Sequence, residues 1–146
     1  MMIDDTFAFA CDESNGAVQL TIYIPEASKD TPLPLQCVPI HTKLGAHIQV
    51  KPLDGDKYHL APLGCPNRVI AVSRSAGVKM LSLASPEDTL AFYTEWNIQQ
   101  KGSDTYELNA VSGPRDECWT SMGNGLPVGL KDSEGLPSQQ WRLLKT

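Results

Sequence analysis

Two short segments of this 146-residue chain combine prolines, which stiffen a loop, with a polar side chain that such a loop would present. The first is Pro25-Glu26-Ala27-Ser28-Lys29-Asp30-Thr31-Pro32-Leu33-Pro34, in which three prolines bracket a single lysine. Prolines limit the conformations of an extended loop, so less ordering entropy is lost when it docks. A lysine presented there, between Ser28 and Asp30, suits the acidic specificity pocket of a trypsin-like enzyme. The plain alternative is a solvated polar loop. The second is Cys65-Pro66-Asn67-Arg68, where proline stiffens the residue before an asparagine. An ordinary turn asparagine after proline explains the same residues.

Other reactive residue types are present without the spacing that chemistry needs. His41, His47 and His59 are never two apart on a strand or four apart on a helix, so they define no metal-binding face. If Tyr58 and Leu60 point inward, His59 points outward. Cys11, Cys37, Cys65 and Cys118 are separated by 26, 28 and 53 residues with no C-x-x-C, which excludes zinc spacing and suggests buried, reduced thiols. No nucleophile elbow, P-loop or H-E-x-x-H occurs, and no serine, histidine and aspartate are singled out as a triad. Gly123-Asn124-Gly125 precedes a strand, so it reads as a hairpin turn and not a phosphate cradle. The expectation is a non-enzyme with no cofactor and no metal, acting through loops on a scaffold.

That scaffold is legible in a duplication. Ile48 to Leu60 (IQVKPLDGDKYHL) and Trp96 to Leu108 (WNIQQKGSDTYEL) align without a gap. Each has apolar residues two apart, a polar turn, then an aromatic and a leucine two apart, the pattern of two half-buried strands joined by a hairpin. Phe7 and Phe9 at one end and Trp141 and Leu143 at the other supply a third, split copy. Strands are expected at about 7–11, 19–24, 35–40, 47–51, 57–61, 69–73, 78–84, 94–99, 105–109, 117–121, 127–130 and 140–144. Only Pro86 to Phe92, after Ser85, leaves room for one short helical turn.

Twelve strands in three units of four, about 5–51, 52–99 and 100–146, predict an all-β, single-domain β-trefoil. Six strands close a barrel, six form three capping hairpins, and the last strand of each unit pairs with the first of the next. No unit covers its own apolar face; three together do, and they remove the sheet edges. A six- or seven-stranded sandwich is the alternative, but it gives no reason for the repeat to begin and end in register. Ile48, Val50, Tyr58, Leu60, Trp96, Ile98, Tyr106, Leu108, Trp141 and Leu143 are expected in the core; the tryptophans are read as core and not as sugar platforms, with Trp119 the one whose exposure has to be checked.

Composition narrows the partners. With 41% apolar and 20% charged residues the chain is globular, and no run approaches the ~20 apolar residues of a membrane helix. A net charge of −5 and 12 scattered basic residues argue against nucleic acid. Met1 to Phe9 has neither the basic nor the apolar region of a signal peptide, so a cytoplasmic protein is expected.

Residues 46–146 resemble two groups of fungal β-trefoils, the mushroom trypsin-inhibitor family and the ricin-B-like lectins. The resemblance is carried by Trp96-Asn97-Ile98, Tyr106-Glu107-Leu108, Cys118-Trp119, Pro127 to Leu130 and Gln139-Gln140-Trp141-Arg142-Leu143. The inhibitor family implies a protease-binding barrel loop, the loop between the second and third strands among them, and thus Ser28, Lys29 and Asp30. Related inhibitors of cysteine proteases or legumain use other loops, which makes Asn67 a second candidate. The lectin family implies a Q-x-W in each unit and a sugar-gripping aspartate after each second strand. Here Gln139-x-Trp141 occurs once, the other units read Thr94-Glu95-Trp96 and Ala46-His47-Ile48, and Pro25, Arg74 and Met122 stand after the second strands. The expectation is a protease inhibitor of defensive or regulatory role, with a glycan-binding lectin as the alternative.

Overall fold

The computed structural model describes residues 3–12, 19–24, 34–39, 46–65, 67–75, 79–111, 113, 116–123 and 125–145. Ser28, Lys29 and Asp30 lie outside the described residues, as does His41.

Thirteen strands follow one another: β1 (Asp5–Asp12), β2 (Gln19–Tyr23), β3 (Gln36–Pro39), β4 (Ile48–Leu53), β5 (Lys57–Pro62), β6 (Val69–Ser73), β7 (Leu81–Ala84), β8 (Phe92–Tyr93), β9 (Trp96–Gln100), β10 (Tyr106–Ala110), β11 (Glu117–Ser121), β12 (Val128–Asp132) and β13 (Arg142–Lys145). Twelve of them match the strands expected from periodicity, with ends shifted by a few residues. The exception is β8. Where a helical turn was expected, Pro86 to Ala91 forms turns begun by Ser85, whose Oγ accepts from the Glu87 amide at 3.3 Å, and Phe92–Tyr93 then pairs with β6.

Six strands form the barrel through the sequence of pairs β1–β4, β4–β5, β5–β9, β9–β10 and β13–β1. The ring closes between β10 and the residue before β13: the Tyr106 amide donates to the Trp141 carbonyl at 2.8 Å, and the Trp141 amide to the Tyr106 carbonyl at 2.9 Å. The β1–β13 ladder, from Phe7↔Lys145 to Ala10↔Arg142, joins the first strand to the last. The duplicated segments are the hairpins β4–β5 and β9–β10. In the first of these the chain reverses at Asp54-Gly55-Asp56, with Gly55 and Asp56 both at positive φ (85° and 59°), a conformation that favours glycine and is tolerated by aspartate.

Three further hairpins, β2–β3, β6–β7 and β11–β12, cap one end. They are bonded to one another. The Leu35 amide donates to the Leu81 carbonyl, the Cys37 amide to the Leu126 carbonyl, and the Leu130 amide to the Lys79 carbonyl, at 2.8 to 3.0 Å.

The core explains why the repeat matters. Ile48, Trp96 and Trp141 occupy equivalent positions and are all fully buried. The Trp96 indole donates to the Ile70 carbonyl at 2.8 Å, and the Trp141 indole to the Trp119 carbonyl at 3.0 Å, each within its own unit. In the first unit isoleucine has no such donor. There the matching carbonyl, that of Ile22, accepts instead from the Ala46 amide at 2.8 Å. A buried carbonyl needs a partner, and the first unit supplies it from backbone where the other two use a side chain.

The structure decides the burial of Trp119 and corrects one expectation about the core. Trp119 is fully buried, stacked at a tilt on Phe9 and edge-on to Trp96 and Trp141, with centroids 5.3 to 5.9 Å apart. Equivalent in register to Ile22 and Ile70, it fills the volume between the other two indoles, which its sequence neighbours Cys118 and Thr120 do not reveal. Its Nε1 has no hydrogen-bond partner among the described residues. Ile98, Tyr106 and Leu143 are half-buried, not buried; Ile98 and Leu143 pack against the margin of the core. The other seven expected core residues are buried.

Candidate functional site

The β5–β6 connection is the described loop that carries a candidate residue, and its form follows from its sequence. The Cys65 amide donates to the Pro62 carbonyl at 3.1 Å, and the Arg68 amide to the Cys65 carbonyl at 3.2 Å. Two turns therefore follow one another. Asn67 has φ 69°, and the order Cys-Pro-Asn-Arg is that of a type II turn, which takes proline second and a residue of positive φ third. Cys65 is buried beneath the loop and the Leu63 amide is bonded to the His47 carbonyl at 2.9 Å, so the base is anchored. Asn67 itself is exposed at the tip. A peptide bound as an extended strand has negative φ throughout, so Asn67 takes that form only if this turn opens.

Asn67 also stands at the rim of a cleft of about 380 Å³, roughly within the range of small-molecule sites. Its polar lining comes from Gln49, Lys51, His59, Asn67 and Arg68. His59 is half-buried and turned away from the core, as the strand alternation requires.

A second cleft, of about 630 Å³, lies beside Gln139, in the third unit. Proline at the first position and a side chain reaching back from the third make Pro137–Gln139 a short 3-10 turn, which the sequence reading missed. The Gln139 carbonyl oxygen accepts from the amides of Glu134 and Leu136, at 2.9 and 3.4 Å, and its nitrogen donates to Thr120 Oγ1 and the Asp132 carbonyl, at 3.2 and 2.8 Å. Every hydrogen-bonding group of this buried side chain is thus engaged in holding the loop 132–139 to β11. Glu117, also lining the cleft, is paired with Lys79 at 2.9 Å.

The positions after the second strands are likewise used structurally. Arg74 Nε donates to the carbonyls of Thr89 and Phe92, at 2.8 and 3.3 Å, and its guanidinium lies 4.2 Å from the Tyr93 ring centre. Met122 lies beside Gly129, where an added Cβ would meet its terminal methyl at 2.7 Å. Pro25 lies outside the described residues. Binding of simple galactosides is therefore expected to be absent or weak. Clear shifts of the amides near Trp141 on adding millimolar lactose would show the opposite.

None of the four cysteines is in a disulfide, and all are buried. Burial pushes the Cys118 thiol up to about 12, with the charge of Glu107 adding to the effect. It stays protonated, hence unreactive, throughout the neutral range. Among the described residues no group of three or more histidine, cysteine, aspartate or glutamate side chains is placed to hold a metal ion.

No protein-family model matches the chain, and no curated protein matches it significantly in sequence. Solved structures do match. The designed 3-fold symmetric protein ThreeFoil is similar with a TM-score of 0.74 at 15% identity, covering 97% of this chain and 99% of that one. A proteinase inhibitor from Coprinopsis cinerea is similar with a TM-score of 0.71 at 14% identity, covering 100% of both chains. A mosquitocidal holotoxin gives 0.77 at 12% identity, and there this chain spans 18% of the longer molecule.

The closed six-stranded barrel, its three capping hairpins and these likenesses define the protein as a β-trefoil. Within that class its fold is like that of a fungal proteinase inhibitor.

Proposed function

We propose that this β-trefoil is a protease inhibitor that blocks a trypsin-like serine protease through the loop between β2 and β3. Lys29 is the primary specificity residue and Ser28 and Asp30 flank it. The observation that supports this reading is the end-to-end likeness to the Coprinopsis cinerea proteinase inhibitor, which leaves no part of either fold unmatched. The scaffold suits the task. The loop leaves from the last β2–β3 pair, Tyr23↔Gln36, and β3 is bonded on its other side to the β11–β12 turn, where the Gly125 amide reaches the Cys37 carbonyl. A loop whose two ends are hydrogen-bonded to each other and to a neighbouring hairpin loses less freedom on docking. The inhibitor acts in the cytoplasm, in defence or regulation, and needs no cofactor.

The testing experiment is a panel of trypsin, chymotrypsin, papain and legumain assays run beside a glycan array. Trypsin inhibition is the expected result. Asn67 is the second candidate, for an asparagine-specific cysteine protease; legumain activity unchanged at micromolar protein would remove it. The second reading, a glycan-binding lectin, is favoured by one observation, the 630 Å³ cleft whose lining includes Glu117, Asp132 and Glu134. A glycan hit with no protease inhibited would transfer the function to that reading.

A further inference from the structure

Three basic side chains converge on the outer face of the β4–β5 hairpin. Lys51 and His59 are cross-strand partners, and Gln49 pairs with Ala61 two steps along the same face. The β5–β6 turn then folds Asn67 and Arg68 over that face, so that Lys51, His59 and Arg68 line one cleft of about 380 Å³. Among the described residues no carboxylate lines it. Four of the five other described lysines are paired: Lys57 with Glu95, Lys79 with Glu117, Lys101 with Glu107 and Lys145 with Asp5. Among the described residues Lys51 and Arg68 are in no such pair.

Like charges directly across a ladder are destabilising, and in a chain of net charge −5 there is no shortage of carboxylates to relieve them. Their concentration here leaves a local field that favours an anion. Gln49 and Asn67 add amides, which both donate and accept as hydroxyl groups do. Leu63, exposed, and Pro86 give the cleft an apolar edge.

We propose that this cleft binds a small hydroxylated anion, a sugar acid or a sugar phosphate. Its charged group sits among Lys51, His59 and Arg68 and its hydroxyls meet Gln49 and Asn67. Occupancy of the cleft does not depend on protease inhibition through the loop between β2 and β3.

The placement carries a pH dependence. Burial holds the His59 imidazole below its ordinary value; Glu95 pulls it up, while Lys51 and Lys57 push it down. An anion in the cleft favours the imidazolium and raises that value. Binding therefore strengthens as pH falls through the His59 transition.

The test is a titration of the full chain, followed by amide NMR shifts, with galacturonate and glucose 6-phosphate at about pH 5.5 and about pH 7.5. Galactose and glucose serve as neutral controls at matched ionic strength. Saturable shifts at His59, Asn67 and Arg68 are expected with an anionic sugar and not with the neutral ones. Binding should be tighter at the lower pH for galacturonate, whose carboxylate stays ionised over this range, whereas the phosphate of glucose 6-phosphate takes up a proton of its own at about pH 6. Whether the carboxylate or the phosphate binds more tightly identifies the anion. K51Q and R68Q are each expected to weaken binding about fivefold, the upper range for an exposed ion pair, with unchanged melting. H59Q should remove the pH dependence of galacturonate binding. Binding that survives K51Q together with R68Q, equal shifts with neutral sugars, or no saturable shift with either anion would overturn the proposal.

Discussion

Replacing Trp96 with alanine is expected to lower the free energy of unfolding by about 3–5 kcal/mol, a large part of what holds a domain of this size together. Trp96 is fully buried, lies edge-on to Trp119, and donates its indole N–H to the Ile70 carbonyl. Truncation leaves a cavity and also a buried carbonyl without its donor. Trp119 provides the contrast. It is as deeply buried, but its N–H has no partner among the described residues, so phenylalanine there removes no hydrogen bond made by them. Urea unfolding of Trp96→Phe and Trp119→Phe should separate the two contributions, with Trp96→Phe the more costly by about 1–3 kcal/mol. A loss below about 1 kcal/mol for Trp96→Ala would mean that the indoles are not the keystones of the core.

The second large effect is expected at Lys29, and it rests on the proposed function. A lysine that enters an acidic specificity pocket is a hot-spot contact. Lys29→Ala should weaken trypsin inhibition by about 2 kcal/mol or more, about thirtyfold. Glu26→Ala, at the rim of the same loop, should change it far less. The melting temperature of Lys29→Ala should match the unmodified protein, because a loop lysine adds little to the core. Full inhibition by Lys29→Ala would move the contact to another loop.

The barrel was legible because its units cannot be stable alone, so the pattern that buries one had to recur. Ile48 to Leu60 and Trp96 to Leu108 repeat residue type at every inward position, and this fixed strand number, pairing and closure. Less legible was what fills the space between strands. The burial of Trp119 was left open because alternation says which face a residue takes, whereas its burial depends on the size of its two counterparts, Ile22 and Ile70. The short strand Phe92–Tyr93 was read as part of a turn because two residues carry no period. The reach of Gln139 across to Thr120 and Asp132 likewise has no local signature.

The same limit holds at the surface. The positive φ of Asn67 could be read from the proline before it. The meeting of Lys51, His59 and Arg68 could not, because it needs the β4–β5 register and the reversal of the following turn together.

The seam between β1 and β13 governs how this molecule assembles. Its partners, such as Phe7 and Lys145, are almost the whole chain apart, so the seam requires the largest loop closure in the molecule. Hairpins such as β4–β5 and β9–β10 bring near neighbours together and form early, whereas the ring closes late. Folding is therefore slow for the chain's length, as in other topologies dominated by distant contacts. Until the seam zips, β1 and β13 present open edges that can pair with another chain, so refolding yield falls as protein concentration rises.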